Sequence, residues 1–330
     1  MKRTKQASRT RSTRRTTAKK AQYRISNWRE YNESLVQRGS ITLWVSADAA
    51  DAIEAWKPEG SGKRGGQFQY SDGAIQCRLT VGSVFHLPLR ATEGFVRSVF
   101  ELIDLELAVP DYTTICKRSK ELKVCLPKNG RGPLHAVLDS TGLQVFGEGE
   151  WKVRQHGYAK RRTWRKLHLS VDGKTQEIEA VVLSEASLDD AAAVPELLDQ
   201  TPRPLEQVSA DGAYDKRKVY AACAERAIRR VSIPPRKDAR IWQHGNCAGP
   251  PLVRDENLRR IRKVGRKRWK EESGYHRRSL AETAMFRFKT IFGGHLRARK
   301  LPQQQAEAKV KCAALDRMPH LGMPDSYRVA

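Results

Sequence analysis

Past Pro127 the sequence changes character. Its apolar residues come in short runs of strand length: LHAVLDST, TWRKLHLSVD, EIEAVVLSE, VSADG and RRVSIPPR. The first three follow one another with no helical stretch between them. DDAAAVPELLDQ then separates the third from the fourth, and DKRKVYAACAERA the fourth from the fifth. Three successive strands imply an antiparallel meander, and the later alternation of strand and helix adds parallel strands. Long helices are expected from Tyr275 onward, so the sheet should be mixed and covered by helices on both faces. No internal repeat is visible.

Upstream, from Trp28 to about Leu122, apolar residues recur at helical spacing, as in GFVRSVFELIDLEL, with Asp72, Thr92 and Asp111 placed to start helices. The stretch TEGFVRSVFELIDLELAVPDYTTICKRSKEL has a helix, break, helix layout. Pro110 marks the break, and Lys117, Arg118 and Lys120 fall on the second part. It reads either as a DNA-reading unit or as an ordinary helical hairpin. The expected fold class is α/β: a ribonuclease H-like mixed sheet flanked by helices, preceded by a small, mainly helical domain.

Charge narrows the partners. The 330 residues carry 62 Lys plus Arg against 37 Asp plus Glu, a formal net charge of +25. Such an excess calls for a polyanion. No apolar run is long enough to span a bilayer, and no export signal is read at the N-terminus, so nucleic acid is preferred over membrane. Residues 1–20 hold nine cations and no acid; they read as a disordered arm that tracks phosphates, or as a merely solvated start. Six cysteines stand apart, without a Cys-x-x-Cys pair or histidines at zinc-ligand spacing, which fits reduced thiols in the cytoplasm.

Three acids stand out against this basic background. Asp139 is expected at the C-terminal end of the first strand, after the apolar run Leu134 to Leu138. Asp211 follows Val208 to Ala210 in the same way, with Gly212 allowing a sharp bend and Asp215 capping the helix that starts at Lys216. Acids at strand ends lie where sheet sites form. In YHRRSLAETAMFRFK, residues Tyr275, Arg278, Glu282 and Lys289 share one helix face within an arc of roughly 60°. Leu280, Ala281, Ala284, Phe288 and Ile291 form the apolar face behind them. Two Asp and a Glu suit magnesium or manganese, and two such ions stabilise both the attacking and the leaving oxygen of an in-line displacement at phosphorus.

The strings VLDSTGLQVFGEGEWKVRQHGYAKRRTWRKLHLSVD, ADGAYD, IPPR and Tyr275-x-x-Arg278-x-x-x-Glu282 with Lys289 resemble bacterial insertion-sequence transposases of the DDE class, most closely the insertion-sequence-five family. The resemblance spans about residues 65 to 320. It implies that Asp139, Asp211 and Glu282 are catalytic and bind the metals, while Tyr275, Arg278 and Lys289 contact transposon-end DNA near the scissile phosphate. It further implies recognition of terminal inverted repeats, attack of water at the transposon end, and attack of the freed 3′ hydroxyl on target DNA. A homodimer is expected in the DNA complex, because two ends must be held together, and a bacterial, nucleoid-associated location follows.

Other residues invite roles. Trp151, Trp164, Trp242 and Trp269 sit among cations. Trp164, inside a strand, is expected in the core; Trp242 and Trp269 lie where related transposases carry an insertion that grips a flipped base. The run Arg254, Arg259, Arg260, Arg262, Lys263, Arg266, Lys267, Arg268 and Lys270 reads as a phosphate track. His156 and His168 are taken as structural. The expected organisation is a basic arm (1–27), a helical DNA-binding domain (28–126), a catalytic domain (127–320) with a basic insertion (237–270), and a tail (321–330). A nuclease of the same fold and a non-catalytic DNA-binding derivative are the competing readings.

Overall fold

The computed structural model describes residues 22–45, 56–58, 68–127, 130–145, 163–243 and 249–329. The basic arm as far as residue 21, Trp151 and His156 lie outside them. Helices α1 (Trp28–Gln37), α2 (Ile41–Trp44), α3 (Asp72–Val84), α4 (Leu89–Leu102) and α5 (Tyr112–Arg118) precede the main sheet. That sheet contains β2 (Leu134–Val145), β3 (Trp164–Asp172), β4 (Ile178–Glu185), β5 (Leu205–Ser209), β6 (Arg230–Ser232) and β7 (His295–Leu296). Between and after the strands come α6 (Val194–Asp199), α7 (Arg217–Glu225), α8 (Val253–Val264), α9 (Arg266–Glu272), α10 (Ser279–Phe292) and α11 (Leu301–Arg317). A separate two-stranded sheet pairs β1 (Gln22–Ile25) with β8 (Ser326–Val329), tying the first described residues to the last.

The main sheet runs β4-β3-β2-β5-β6, with β7 added beside the far end of β2. The β2, β3 and β4 pairings are antiparallel, and those of β2 with β5 and β5 with β6 are parallel. This is the expected mixed sheet flanked by helices, in the order of a ribonuclease H-like fold. Side chains alternate across a strand, and the two faces have different covers. Leu134, Ala136 and Leu138 bury against the α6 and α7 side; Val137, Leu143 and Val145 are buried with the opposite parity, and Val137 and Leu143 join the core that includes α10 and α11.

That second core continues without a break into the N-terminal helices. Ile75, Val81, Val96, Phe100 and Ile115 belong to the same buried cluster as Phe288 and Leu315. Buried Arg78 adds polar ties within these helices, donating to the carbonyls of Leu89 (2.6 Å) and Asp111 (3.3 Å).

Helix starts depart from expectation in one place. α3 does start at Asp72, with Ser71 ahead of it as the cap, its hydroxyl accepting from the Ala74 amide at 3.0 Å. Thr92 lies inside α4, buried, with its hydroxyl turned back to the Pro88 carbonyl at 3.0 Å; Pro88 opens the helix instead, since it forgoes an amide that would have no partner there. Asp111 does cap α5, accepting from the amides of Thr113 and Thr114. In the helix, break, helix segment, Arg118 is spent on structure: it donates to the Tyr70 carbonyl and pairs with Asp72, with its guanidinium 3.8 Å from the centre of the Phe68 ring. No described helix is long and apolar enough to cross a membrane.

Candidate functional site

Strand parity assembles the site. Asp139 shares the parity of Val137 and Leu143, so it lies on the α10 face of β2. In the register of β2 with β5, Ala136 lies beside Val208 and Val137 beside Ser209. Val208 and Ala210 bury on the opposite face, which leaves Asp211 on the same face as Asp139. Helix α10 covers that face with Ala281, Ala284, Met285 and Phe288 buried, and delivers Glu282 from its first turn. Leu280 and Ile291, expected in the apolar stripe, are only half-buried, and Met285 and Phe292 take the deeper positions.

Asp139 does not end its strand. β2 continues to Val145, held on one side by β3 through Gln144. On the other side, the β5 pairing stops at Val137 and the β7 pairing begins only at Gln144. The backbone around Asp139 therefore faces a gap between two neighbouring strands, and this gap exposes the acid as a strand end would. Asp211 follows the end of β5 and caps a 3-10 turn over Gly212–Tyr214, accepting from the Ala213 amide at 2.9 Å. Gly212 serves close approach, since a Cβ there would stand 3.2 Å from the Pro234 carbonyl oxygen. Asp215 caps nothing; it forms a buried ion pair with Arg254 of α8 at 2.8 Å, which fastens the basic insertion to the Asp211 turn.

The Glu282 helix also differs from a single α-helix. Tyr275–Arg278 form a 3-10 turn, entered through Gly274 in the left-handed region at φ 65°, and the α-helix starts at Ser279. Arg278 is paired with Glu282 and stands 4.0 Å from Asp139, so one guanidinium lies between two of the three acids. Burial raises the carboxyl of Asp139 above its ordinary range; the Ser140 amide and Arg278 oppose this, while Asp211 and Glu282 add to it. Burial likewise raises the Tyr275 hydroxyl, which sits within electrostatic reach of Arg278 and all three acids. Lys289 is exposed in the last turn of α10, two turns from Glu282.

Two family descriptions decide the identity. Two models described as a transposase DDE domain match the chain, one over residues 36–148 and the other over residues 130–316, the latter more than half of the chain. The chain belongs to the DDE transposases. Both matches contain Asp139, and the longer one contains Asp211 and Glu282 as well.

Among the described residues of the transposase, no three His, Cys, Asp or Glu side chains stand as a ready ion cage. Three carboxylates gathered without a cation repel one another, and Arg278 supplies positive charge between two of them. The donors nevertheless suit a hard divalent ion: all are carboxylate oxygens, Asp139 and Asp211 are anchored by main-chain amides, and Glu282 is exposed enough to turn.

The remaining candidates divide by burial. Trp269 is 2% exposed, its indole donating to Asn257 at 3.1 Å, so it offers no free face for a base. Trp242 is half-buried against Tyr220, with Arg254 over its ring at 3.8 Å and Arg217 at 5.1 Å. Trp164, expected in the core, is 45% exposed and lies over Gly142. Arg254 is buried in its pairing with Asp215 and leaves the phosphate track. Arg260 and Arg268 pair with Glu272, Arg266 donates to the Pro235 carbonyl at 2.7 Å, and Lys263 and Lys267 are exposed. His168 is buried and bonded to Ser184 at 2.9 Å.

One feature the sequence reading left without a role adjoins Asp211. A pocket of about 370 Å³ is lined by Gly212, Ala213, Pro234, Pro235, Arg236, Lys237 and Arg266. Its signal was the IPPR string at the end of β6.

Proposed function

We propose that this transposase, of the insertion-sequence-five type, binds the terminal inverted repeats of its element and cuts and joins DNA at Asp139, Asp211 and Glu282. The observation that carries the reading is the shared face: strand parity puts both aspartates under α10, whose first turn brings Glu282 to them. These three residues would hold two magnesium or manganese ions, and Arg278 would exchange its carboxylate partners for the DNA backbone as the ions enter. When bound, the ions supply Lewis-acid stabilisation to both oxygens of an in-line displacement. Water attacks phosphorus at the transposon end, the bond to the 3′ oxygen breaks, and that oxygen leaves as a hydroxyl. The hydroxyl then attacks a target phosphodiester in the same site, displacing a target 3′ oxygen in turn.

Tyr275, Arg278 and Lys289 would line one path beside the acids and position the scissile strand. Arg266, Lys267 and Arg268 would meet the flanking duplex. The helices of 28–126 would read end DNA, and a homodimer would hold two ends together on the bacterial nucleoid. The test is cleavage and strand transfer of labelled DNA carrying the element's own ends, with magnesium or manganese. Wild type should cut and join, and Glu282→Gln should do neither. Cutting without joining would point to a nuclease, and binding without cutting by wild type would point to a non-catalytic derivative.

A further inference from the structure

Helix α10 carries charge on both sides of its buried stripe. Glu282 flanks the stripe on one side, and Arg287 lies about 140° further around the helix and flanks the other. On that side the N-terminal helices close in. The Ser34 hydroxyl of α1 donates to the Gly322 carbonyl at 3.2 Å, and Arg317 at the end of α11 donates to the Leu43 carbonyl of α2 at 3.5 Å. Arg38 ends α1 at this junction, and the Trp44 indole donates back to its carbonyl at 3.0 Å.

Arg38 and Arg287 are half-buried, and the Nε of Arg38 and an Nη of Arg287 are sealed from solvent with no hydrogen-bond partner among the described residues. The two lie within electrostatic reach: burial lowers the Arg287 guanidinium below its ordinary range, Arg38 lowers it further, and Asp316 and Tyr31 oppose this. Asp316 gives little counter-charge near neutral pH, because burial pushes its own carboxyl up to about 8. Sealed polar atoms without partners call for an explanation, and neighbouring like charges cost stability unless an anion joins them.

We propose that Arg38 and Arg287 together bind one phosphate group, held in the junction of α1 with α10 and supplied by the backbone of bound DNA. The inference rests on the proposed binding of end DNA, not on the reaction at the acids. Planar guanidinium forks match phosphate oxygens, and the positive excess of the chain favours a polyanion over an acidic protein. The side chains are half-buried and not enclosed, which leaves a backbone phosphate room to enter. Because the site lies across α10 from Glu282, the phosphate it holds is not the one being cut.

The test has two arms, each comparing Arg38→Met and Arg287→Met with wild type; methionine keeps an apolar stem and drops the charge. In the first, thermal unfolding is followed as inorganic phosphate replaces chloride at fixed ionic strength. The wild-type midpoint should rise with phosphate, and those of the variants should not. In chloride alone, Arg287→Met should be at least as stable as wild type, since it removes one of two unpartnered cations; an arginine with a purely structural role would give a loss. In the second arm, uncharged methylphosphonate replaces one backbone phosphate at a time in DNA carrying the element's end, without divalent metal. One position should weaken wild-type binding by about tenfold or more, the range of a hydrogen bond to a charged group, and leave the binding of Arg287→Met unchanged. A response in the second arm assigns the phosphate to DNA, and a response in the first alone moves its source to a free oxyanion. Variants that match wild type in both arms, or a loss of stability for Arg287→Met in chloride, overturn the inference. Failure of wild type to bind the end DNA at all removes the reading beneath it, and the first arm still decides the site.

Discussion

Two groups of carboxylates sit along one sheet, one where the parallel strands begin and one at the gap beside Asp139, and the fold treats them differently. At the end where the parallel strands begin, Asp172, Glu177, Glu179 and Asp316 are all at most 2% exposed. Arg203 donates to both Asp172 and Glu179, His320 lies 2.9 Å from Glu177, and the Ile178 amide donates to Asp316 at 2.8 Å. At the open gap, the side chain of Glu282 is 52% exposed and that of Asp139 16%, with one arginine shared between them. Buried acids with fixed partners hold structure together. Acids at the gap in the sheet share one arginine and stay open to solvent. Acid clustering alone therefore does not tell the two groups apart; access and the number of fixed partners do.

The contrast breaks most visibly at the open gap. Asp139→Asn, Asp211→Asn or Glu282→Gln should each reduce metal-dependent cleavage by about 10³-fold or more, the equivalent of about 4 kcal/mol of transition-state stabilisation. Thermal unfolding should change little, because each substitution removes repulsion and leaves the cores intact. A comparable loss of cleavage with collapse of the melting transition would erase the distinction between the two groups.

Arg203→Met is the matching lesion in the closed group. It leaves Asp172 and Glu179 buried beside each other without their shared cation, at a cost of about 3–5 kcal/mol in urea unfolding. Cleavage per folded molecule should survive. An effect under about 1 kcal/mol would show that the closed cluster is not what its hydrogen bonds imply.

Asp316 sharpens the contrast through pH. Burial first, then Glu177 and Glu179, pushes its carboxyl up to about 8, against an ordinary value of 3.8. The folded state thus holds a proton that the unfolded chain releases, so this contribution to stability is full below about pH 4 and is lost as pH rises toward 8. Asp316→Asn keeps an oxygen for the Ile178 amide and carries no proton to lose. Its stability relative to wild type should climb between those two pH values and level off above them; a difference that stays flat with pH would contradict the assignment.

The smallest effect concerns the surface. Lys267→Ala removes one exposed cation from α9 and should lower the slope of log affinity against log salt by about 0.9, while deletion of residues 1–20 should flatten it further without abolishing cleavage. An unchanged slope on arm deletion would count against a role in phosphate contact.

Much of this arrangement was readable in the sequence. The chain order of strands and helices, the mixed sheet it implies and the amphipathic Glu282 helix all follow from periods of two and near four, and the ends of the apolar runs put Asp139 and Asp211 on one sheet; their shared face came only with the register of β2 and β5. What remained hidden depended on neighbours distant in sequence. Asp139 looked like a strand end because the gap beside it is set by where β5 stops and β7 starts, some 70 and 150 residues away. Asp215 had the spacing of a cap, but Arg254, 39 residues on, claims it. The two tryptophans changed places for the same reason. Trp269 sits among charges in RKRWKEE, yet one face of a short helix is enough to bury it. Trp164 is in a strand, yet as its first residue, with its ring exposed over Gly142.

The most direct test of the account is where divalent metal sits. With element-end DNA bound, Fe²⁺ and peroxide cut a polypeptide beside the bound ion, and the fragments map it. Cuts should cluster at Asp139, Asp211 and Glu282, disappear when excess Mg²⁺ competes, and be absent from Glu282→Gln. Cuts centred on residues 172–179, or fragments indifferent to Mg²⁺ and to the substitution, would contradict it.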